Sequence, residues 1–262
     1  GRLEGSTPET VMLGSHLDSV YNGGAYDGIA GAICAIEVLK ELQAEGFKPY
    51  YSLEAIATND EEGSRFKSGL FTGKVLSGSL TPEDLKSYHD KDDISVFTAM
   101  QKYGLHPEEI NKHPRTDIKA FIEIHIEQGP ILEAQHKDIG IVDIIVGIYR
   151  YLVTITGRAD HIGTMPMHMR KDALEAASKV IANIGDRART IPNAVATVGN
   201  LTVQPNVVNI IPAKVTFTVD MRGSTGPELT TQYKGLINDL NSIAKTLGVQ
   251  FSIKETLKAE PV

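Results

Sequence analysis

Two histidines and several carboxylates recur along this chain, each beside glycine or small polar residues. That donor set suits one or two divalent cations of the zinc or manganese type. His16 and Asp18 stand in Gly14-Ser-His-Leu-Asp-Ser19, and Asp27 in Gly23-Gly-Ala-Tyr-Asp-Gly28. Glu61 and Glu62 stand in Asn59-Asp-Glu-Glu-Gly-Ser-Arg-Phe66, and His125 in Ile124-His-Ile-Glu-Gln-Gly-Pro130. A binuclear site needs a carboxylate that bridges ions about 3.5–4 Å apart, with flanking ligands on each side. Asp27 is the best bridge, because Gly23, Gly24 and Gly28 let the backbone fold tightly around it. His16 and His125 complete one ion's shell, and Asp18 is placed to accept the second ring N–H of His16 and fix its tautomer. Of the adjacent glutamates, one can ligate the second ion while the other serves as general base. Singly, a His-x-Asp pair is most often a turn feature and a Glu-Glu pair a solvated face. Their joint order makes a hydrolytic metal site the leading reading.

The elements that must position these residues give the order its force. Thr10 to Leu13 reads as a strand ending at Gly14, Tyr51 to Thr58 as a second strand, and Ala120 to Ile124 as a third. Each runs directly into a ligand group. In open α/β sheets the ligand crevice lies beyond the carboxyl ends of parallel strands, so His16, Glu61, Glu62 and His125 have a geometric reason to meet. A helix pattern covers Ile29 to Glu45, with Ile29, Ile33, Ile36, Leu39 and Leu42 on one face and Cys34 assigned to the core. Residues 75 to 118 are polar, helical or irregular, and carry no assigned chemistry. His89, His106, His113 and His136 lie in polar stretches and read as solvated.

From Gly147 the pattern changes. Tyr149 to Thr156, Ala194 to Val203, Lys214 to Arg222 and Val249 to Lys254 read as strands. Helices cover Lys171 to Arg187, with Leu174, Ala177, Ile181 and Ile184 inward, and Gly226 to Thr246. This β-α-β-β-α-β order is the ferredoxin-like arrangement. The expected fold class is therefore α/β: a mixed, largely parallel sheet with helices on both faces, plus an inserted ferredoxin-like α+β domain. The expected division is 1–146 for the metal-binding catalytic domain, 147–256 for a lid and dimerisation domain, and 257–262 for a return to the first.

Bulk properties narrow the class of function. A net charge of −7 over 262 residues argues against a nucleic-acid or anionic-membrane partner, which would ask for a basic face. An apolar content of 41% is ample for a core. The single cysteine excludes an internal disulfide and fits a reducing, cytoplasmic setting. No apolar run approaches the roughly 20 residues that span a bilayer, and no signal peptide is evident. The absence of an initiator methionine and the abrupt stop at Glu260-Pro-Val262 suggest a piece of a longer protein.

Taken together, the motifs resemble those of the hydantoinase/carbamoylase-type amidases within the zinc aminoacylase–carboxypeptidase superfamily. The resemblance extends through Gly157-Arg-Ala-Asp-His-Ile-Gly-Thr-Met-Pro-Met167, Arg170-Lys-Asp-Ala-Leu174, and Pro205-Asn-Val-Val-Asn-Ile-Ile-Pro212 to Asp220-Met-Arg222. It implies a binuclear enzyme (Zn, Mn, Co or Ni) with His16, Asp27 and His125 around one ion, and Asp27 and Glu62 serving the other. It also implies Glu61 as general base, Gln128 as a substrate contact, and His161, Asn209 and Arg222 as lid residues that hold the substrate and its developing oxyanion. Met165 and Met167 are expected to pack beneath the His161 loop. The implied substrates are N-carbamoyl-L-amino acids or allantoate, and the implied assembly is a homodimer through the lid. One departure stands out: a late Gly-x-x-His-Asp-type histidine for the Glu62-side ion has no match. The chain is thus expected to lack part of its second metal shell, leaving a catalytically incomplete scaffold as the alternative reading.

Overall fold

A computed structural model of the chain describes residues 1–112 and 114–262; His113 lies outside the described residues. The chain forms two compact units, Gly1–Ile139 and Gly140–Val262.

The first unit contains β1 (Arg2–Leu3), β2 (Thr10–His16), α1 (Ile29–Ala44), β3 (Ser52–Thr58), α2 (Phe71–Leu76), α3 (Pro82–Ser87), α4 (Val96–Lys102), β4 (Ile118–Ile122) and α5 (Ile131–Ala134). Its sheet has the order β1-β3-β2-β4. β2 runs parallel to β3 in unbroken register from Thr10 opposite Ser52 to His16 opposite Thr58. β4 is parallel to β2 on the other side, and β1 is antiparallel to β3. Three parallel strands therefore end on one edge, as the motif order requires.

α1 packs on one face of this sheet, where Ala35, Leu39 and Ala55 are buried with Leu13 and Leu53 around them. Its inward stripe is Gly31, Ala32, Ala35 and Leu39. Of the expected stripe Leu39 is inward, but Ile33 and Ile36 turn away at 54% and 47% exposure. Cys34 is exposed as well, not a core residue. Small side chains let the helix axis approach the strands closely, and that close approach decides which face goes in. Helices do not cover both faces equally. Opposite α1, Met12 is fully buried, and a cavity of about 360 Å3 separates the sheet residues Met12, Ile118 and Phe121 from Leu70, Gly73 and Leu76 of the α2 region. The polar stretch between β3 and β4 has its own small core of Leu80, Leu85 and Val96.

The second unit contains β5 (Gly147–Thr156), α6 (Ala173–Arg189), β6 (Val195–Thr197), β7 (Leu201–Gln204), β8 (Lys214–Gly223), α7 (Gly226–Leu247) and β9 (Gln250–Ala259). The sheet order is β6-β8-β5-β9, with β7 also paired to β8 and every pairing antiparallel. This is a β-α-β-β-α-β unit. Alternate residues of β5 (Tyr149, Tyr151, Val153, Ile155) and β8 (Val215, Phe217, Val219, Met221) share one core with Ala176, Val180 and Ile184 of α6 and Leu229, Leu236 and Leu240 of α7. The Asp172 carboxylate accepts the N–H groups of Leu174 and Glu175, which sets the start of α6 at Ala173. Leu174 faces outward at 36% exposure, and Ala173, Ala176 and Val180 take the inner positions.

Two boundaries differ from expectation. The single strand expected over 194–203 is broken into β6 and β7, because Asn200 exchanges hydrogen bonds with Thr218 through its main chain and interrupts the ladder. β9 does not stop at Lys254 but follows β5 as far as Ala259, after a register shift beside Arg150 and Tyr151. Ile145 and Val262 then exchange backbone hydrogen bonds, so residues 140–146 and 257–262 both belong to the second unit.

Candidate metal centre

Each ligand group sits just past a parallel strand or at a helix start. His16 is the last residue of β2, and its neighbour across the ladder is Thr58, from which the chain turns into Glu61 and Glu62. His125 follows three residues after β4, and Asp27 immediately precedes the cap of α1. His16 and Asp27 are 2% and 4% exposed. The Nε2 atoms of His16 and His125 lie 3.3 Å apart, and Asp27 Oδ1 is 3.7 Å from the first and 3.2 Å from the second. A second group, His16 with Glu61 and Glu62, also brings its donor atoms within 4.8 Å of one another. The two groups share His16; among the described residues, no such group joins Asp27 to Glu62.

These atoms fit a cation. Asp27 Oδ1 is buried without a hydrogen-bond partner among the described residues, an expensive state for a carboxylate oxygen unless a positive charge faces it. His16 Nδ1 lies 2.6 Å from the Asp18 carbonyl, and His125 Nδ1 lies 2.8 Å from the Ile126 carbonyl. Each carbonyl requires a ring N–H, so the Nδ1 atoms carry protons and the Nε2 lone pairs point inward. Two lone pairs and an orphaned carboxylate oxygen converging on one point are a cation's environment.

The Asp18 carboxylate does not perform the expected role. It is the Asp18 main-chain carbonyl that meets His16, while the carboxylate accepts the N–H groups of Glu61 and Glu62 at 3.0 Å each. Asp18 thus ties the glutamate loop to the end of β2. Burial would lower the His16 pKa, but the Asp18 carbonyl and the charges of Glu61, Asp18 and Asp27 raise it overall. Burial pushes the Glu61 carboxyl above the usual carboxylate range; His16 opposes this, and Glu62, Asp18 and Glu123 reinforce it.

Gly28 makes the close packing possible. Its φ of +71° is left-handed, and a Cβ there would stand 2.3 Å from His16 Nδ1. Gln128, also at positive φ (56°), donates from Nε2 to Asp27 Oδ2 at 2.9 Å. Ser15 and Glu123 were not singled out by sequence, yet Ser15 Oγ donates to Glu123 Oε1 at 2.5 Å, and Glu123 lies within electrostatic reach of Glu61. The available signal was spacing: Glu123 precedes His125 by two residues, the interval that places side chains on one side wherever the chain is extended.

The expected lid residues lie in the second unit. His161 forms an isolated antiparallel bridge with Ile210, and the Ile162 N–H donates to the Asn209 carbonyl at 3.3 Å, so the His161 and Asn209 loops adjoin. The His161 Nδ1 accepts the Gly163 N–H. Arg222, near the end of β8, donates from Nε to Asp220 Oδ1 at 3.1 Å, and Arg150 holds the other Asp220 oxygen. Met167 is 68% exposed, against the expected packing, whereas the Met165 sulfur meets Arg158. His89, His106 and His136 are exposed.

A mixed α/β unit with histidines and carboxylates at its parallel strand ends, followed in the chain by a β-α-β-β-α-β unit, is the build of a metallohydrolase. The chain matches the model of peptidase family M20/M25/M40, a metal-dependent hydrolase family, over residues 12–258, and it belongs to that family. It is 40% identical to an N-carbamoyl-L-amino-acid amidohydrolase of Paenarthrobacter aurescens, with 100% of this chain and 65% of that protein covered. It is 38% identical to an allantoate amidohydrolase of Bacillus subtilis, covering 100% of this chain and 64% of that one. The crystal structure of a hydantoinase/carbamoylase family amidase from Burkholderia multivorans superposes with a TM-score of 0.90 at 34% identity, over 100% of this chain and 64% of that chain. The resemblance read from the motifs is thereby borne out, and the chain spans about 65% of the length of these relatives. No described helix is long and apolar enough to cross a membrane.

Proposed function

We propose that this protein is a metal-dependent amidohydrolase that cleaves the linear ureido C–N bond of N-carbamoyl-L-amino acids, giving amino acid, ammonia and carbon dioxide. The observation that carries the reading is the pair of donor groups sharing His16, the first of which holds the orphaned Asp27 oxygen. Its support from relatives is the 40% identity to a protein of that name. His16, Asp27 and His125 would hold one divalent cation, and Glu62 with Asp27 a second. Such cations, when bound, polarise a carbonyl and acidify water.

The chain's own residues supply the rest. Glu61, whose proton affinity is raised by burial, takes a proton from the attacking water and returns it to the leaving nitrogen. His161 and Asn209 offer hydrogen-bond donors to the developing oxyanion. The Arg222 Nε is held by Asp220, which leaves the two terminal nitrogens as a fork for the substrate carboxylate. Gln128 offers a further amide to the substrate. The homodimer expected from the resemblance belongs to the same reading. Allantoate is the second substrate reading, favoured by the 38% identity to the Bacillus subtilis protein; it too carries a carboxylate and linear ureido groups.

Ammonia release from N-carbamoyl-L-amino acids and from allantoate, measured side by side after manganese or zinc loading, tests both readings. Glu61→Gln should lower kcat by about 10²–10⁴-fold, the usual worth of a positioned general base. Ammonia from neither substrate, with cations demonstrably bound, would refute the proposal.

A further inference from the structure

We propose that Gln128 is a positioning residue that reserves one oxygen of Asp27 and so separates the binding of the two cations into a tight step and a weak one. The proposal rests on the binuclear reading above and deepens it. The two oxygens of this carboxylate are in different situations. Oδ1 is buried, lacks a hydrogen-bond partner among the described residues, and faces the Nε2 atoms of His16 and His125. Oδ2 accepts the Gln128 side-chain N–H at 2.9 Å. A carboxylate that bridges two cations must offer one oxygen to each. Here the oxygen for the histidine-side cation is free, and the other is engaged by a donor whose positive hydrogen repels a cation.

The arrangement is built by the backbone. Gln128 has φ 56°, a left-handed conformation that a non-glycine residue adopts only when its surroundings impose it. The imposing contacts are visible next door. The Glu127 carboxylate accepts the N–H groups of Ile131 and Leu132 at 2.8 and 2.9 Å, clasping the start of α5 and fixing the turn from which the Gln128 amide reaches Asp27. A cation that seeks Asp27 Oδ2 must therefore displace a charge-assisted hydrogen bond held in place by that clasp. Gln128 sets the gap between the first and second binding constants, and its release accompanies completion of the centre.

Manganese titration, by calorimetry and by metal analysis after equilibrium dialysis, tests this on the wild type, Gln128→Met and Gln128→Ala. Gln128→Met keeps length and volume but has no donor, and Gln128→Ala guards against an effect peculiar to methionine. Gln128 is exposed, so both variants should fold, which melting in chelator verifies. The second dissociation constant should tighten about tenfold or more in both variants, while the first moves by less than about threefold. An unchanged gap overturns the proposal, as does equal weakening of both steps. Glu62→Ala separates this failure from failure of the binuclear reading. If Glu62→Ala abolishes the second ion but Gln128→Met leaves the gap unchanged, only the role of Gln128 falls. If Glu62→Ala still binds two ions, the assignment of the second cation falls and the proposal with it.

Discussion

Replacing Gly28 with alanine should damage the metal centre more than it damages the fold. The residue caps α1 with φ 71° and ψ −52°, a conformation that costs an L-residue about 1–3 kcal/mol. The added methyl would also stand 2.3 Å from His16 Nδ1, 2.4 Å from Cε1 and 2.5 Å from the His16 carbonyl oxygen. Because main-chain oxygen is among these atoms, rotating the ring alone cannot clear the overlap. Relief requires the ring to leave the Asp18 carbonyl, which loses a hydrogen bond worth about 0.5–1.5 kcal/mol net. The expected destabilisation is thus about 2–4 kcal/mol. The loss in cation affinity should reach about 10–100-fold, the usual effect of removing the group that orients a histidine ligand.

Gly24→Ala is the natural comparator. Gly24 has φ 86°, yet a Cβ there would meet nothing within 4 Å. That variant carries the backbone strain without the collision, so it should lose about 1–3 kcal/mol and retain wild-type cation affinity. Chemical denaturation in chelator and manganese titration would be measured on both variants. The reasoning is refuted if the two behave alike, or if Gly28→Ala keeps its cation affinity within about threefold of wild type.

Asp18→Ala should free the N–H groups of Glu61 and Glu62, raising their amide exchange rates at least about tenfold; unchanged protection at these two amides would refute the loop-tethering role of Asp18. Arg115→Ala should destabilise the first unit by about 1–3 kcal/mol, because Arg115 joins Glu54 to Asp117 across partly buried positions. The same network gives a pH dependence. Hydrogen bonds from Arg115, and then from Thr10, hold Asp117 below the usual carboxylate range, and the Arg115 hydrogen bond, against burial, does the same for Glu54. Their contribution is present above about pH 4–5 and is lost as the pH falls through the folded values, so denaturation midpoints should drop in acid less steeply for Arg115→Ala than for wild type. Cys34 should react with a thiol reagent in the native state at a rate close to that in denaturant; a rate slowed about a hundredfold by folding would contradict its exposure.

What the sequence made legible was the part governed by strand ends. β2, β3 and β4 are short apolar runs, and each delivers its ligand within a few residues, so the convergence of His16, Glu61, Glu62 and His125 followed from topology. The inner face of α1 was read correctly at Leu39 but misread at Ile33 and Ile36, because hydrophobic periodicity weights them by size. Packing distance instead favours Gly31, Ala32 and Ala35, whose small side chains admit the strands. The break between β6 and β7 was signalled by Gly199-Asn200, a turn pair inside an apparent strand. Asp18 was rightly read as the acceptor of the second ring N–H of His16, but not which of its groups accepts it nor that its carboxylate holds the glutamate loop. Whether a histidine meets the carbonyl or the carboxylate of a residue two positions on depends on backbone dihedrals, and spacing is the same for both.

That last point bears on how the centre is held. The orienting bonds of its ligands all use the main chain on one side: His16 meets the Asp18 carbonyl, His125 the Ile126 carbonyl, and the glutamate loop's own N–H groups donate to the Asp18 carboxylate. Asp18 and Ile126 follow two and four residues after β2 and β4, whose ladders fix the chain just before them. Catalytic geometry must be held within a fraction of an ångström, and a backbone-anchored set of ligands meets that demand without a large buried polar network. Tolerance should therefore be uneven. Side-chain changes away from the ligands, Glu61 and Asp18 that leave the chain path intact should be borne, while a single methyl at Gly28, which moves the path itself, should not.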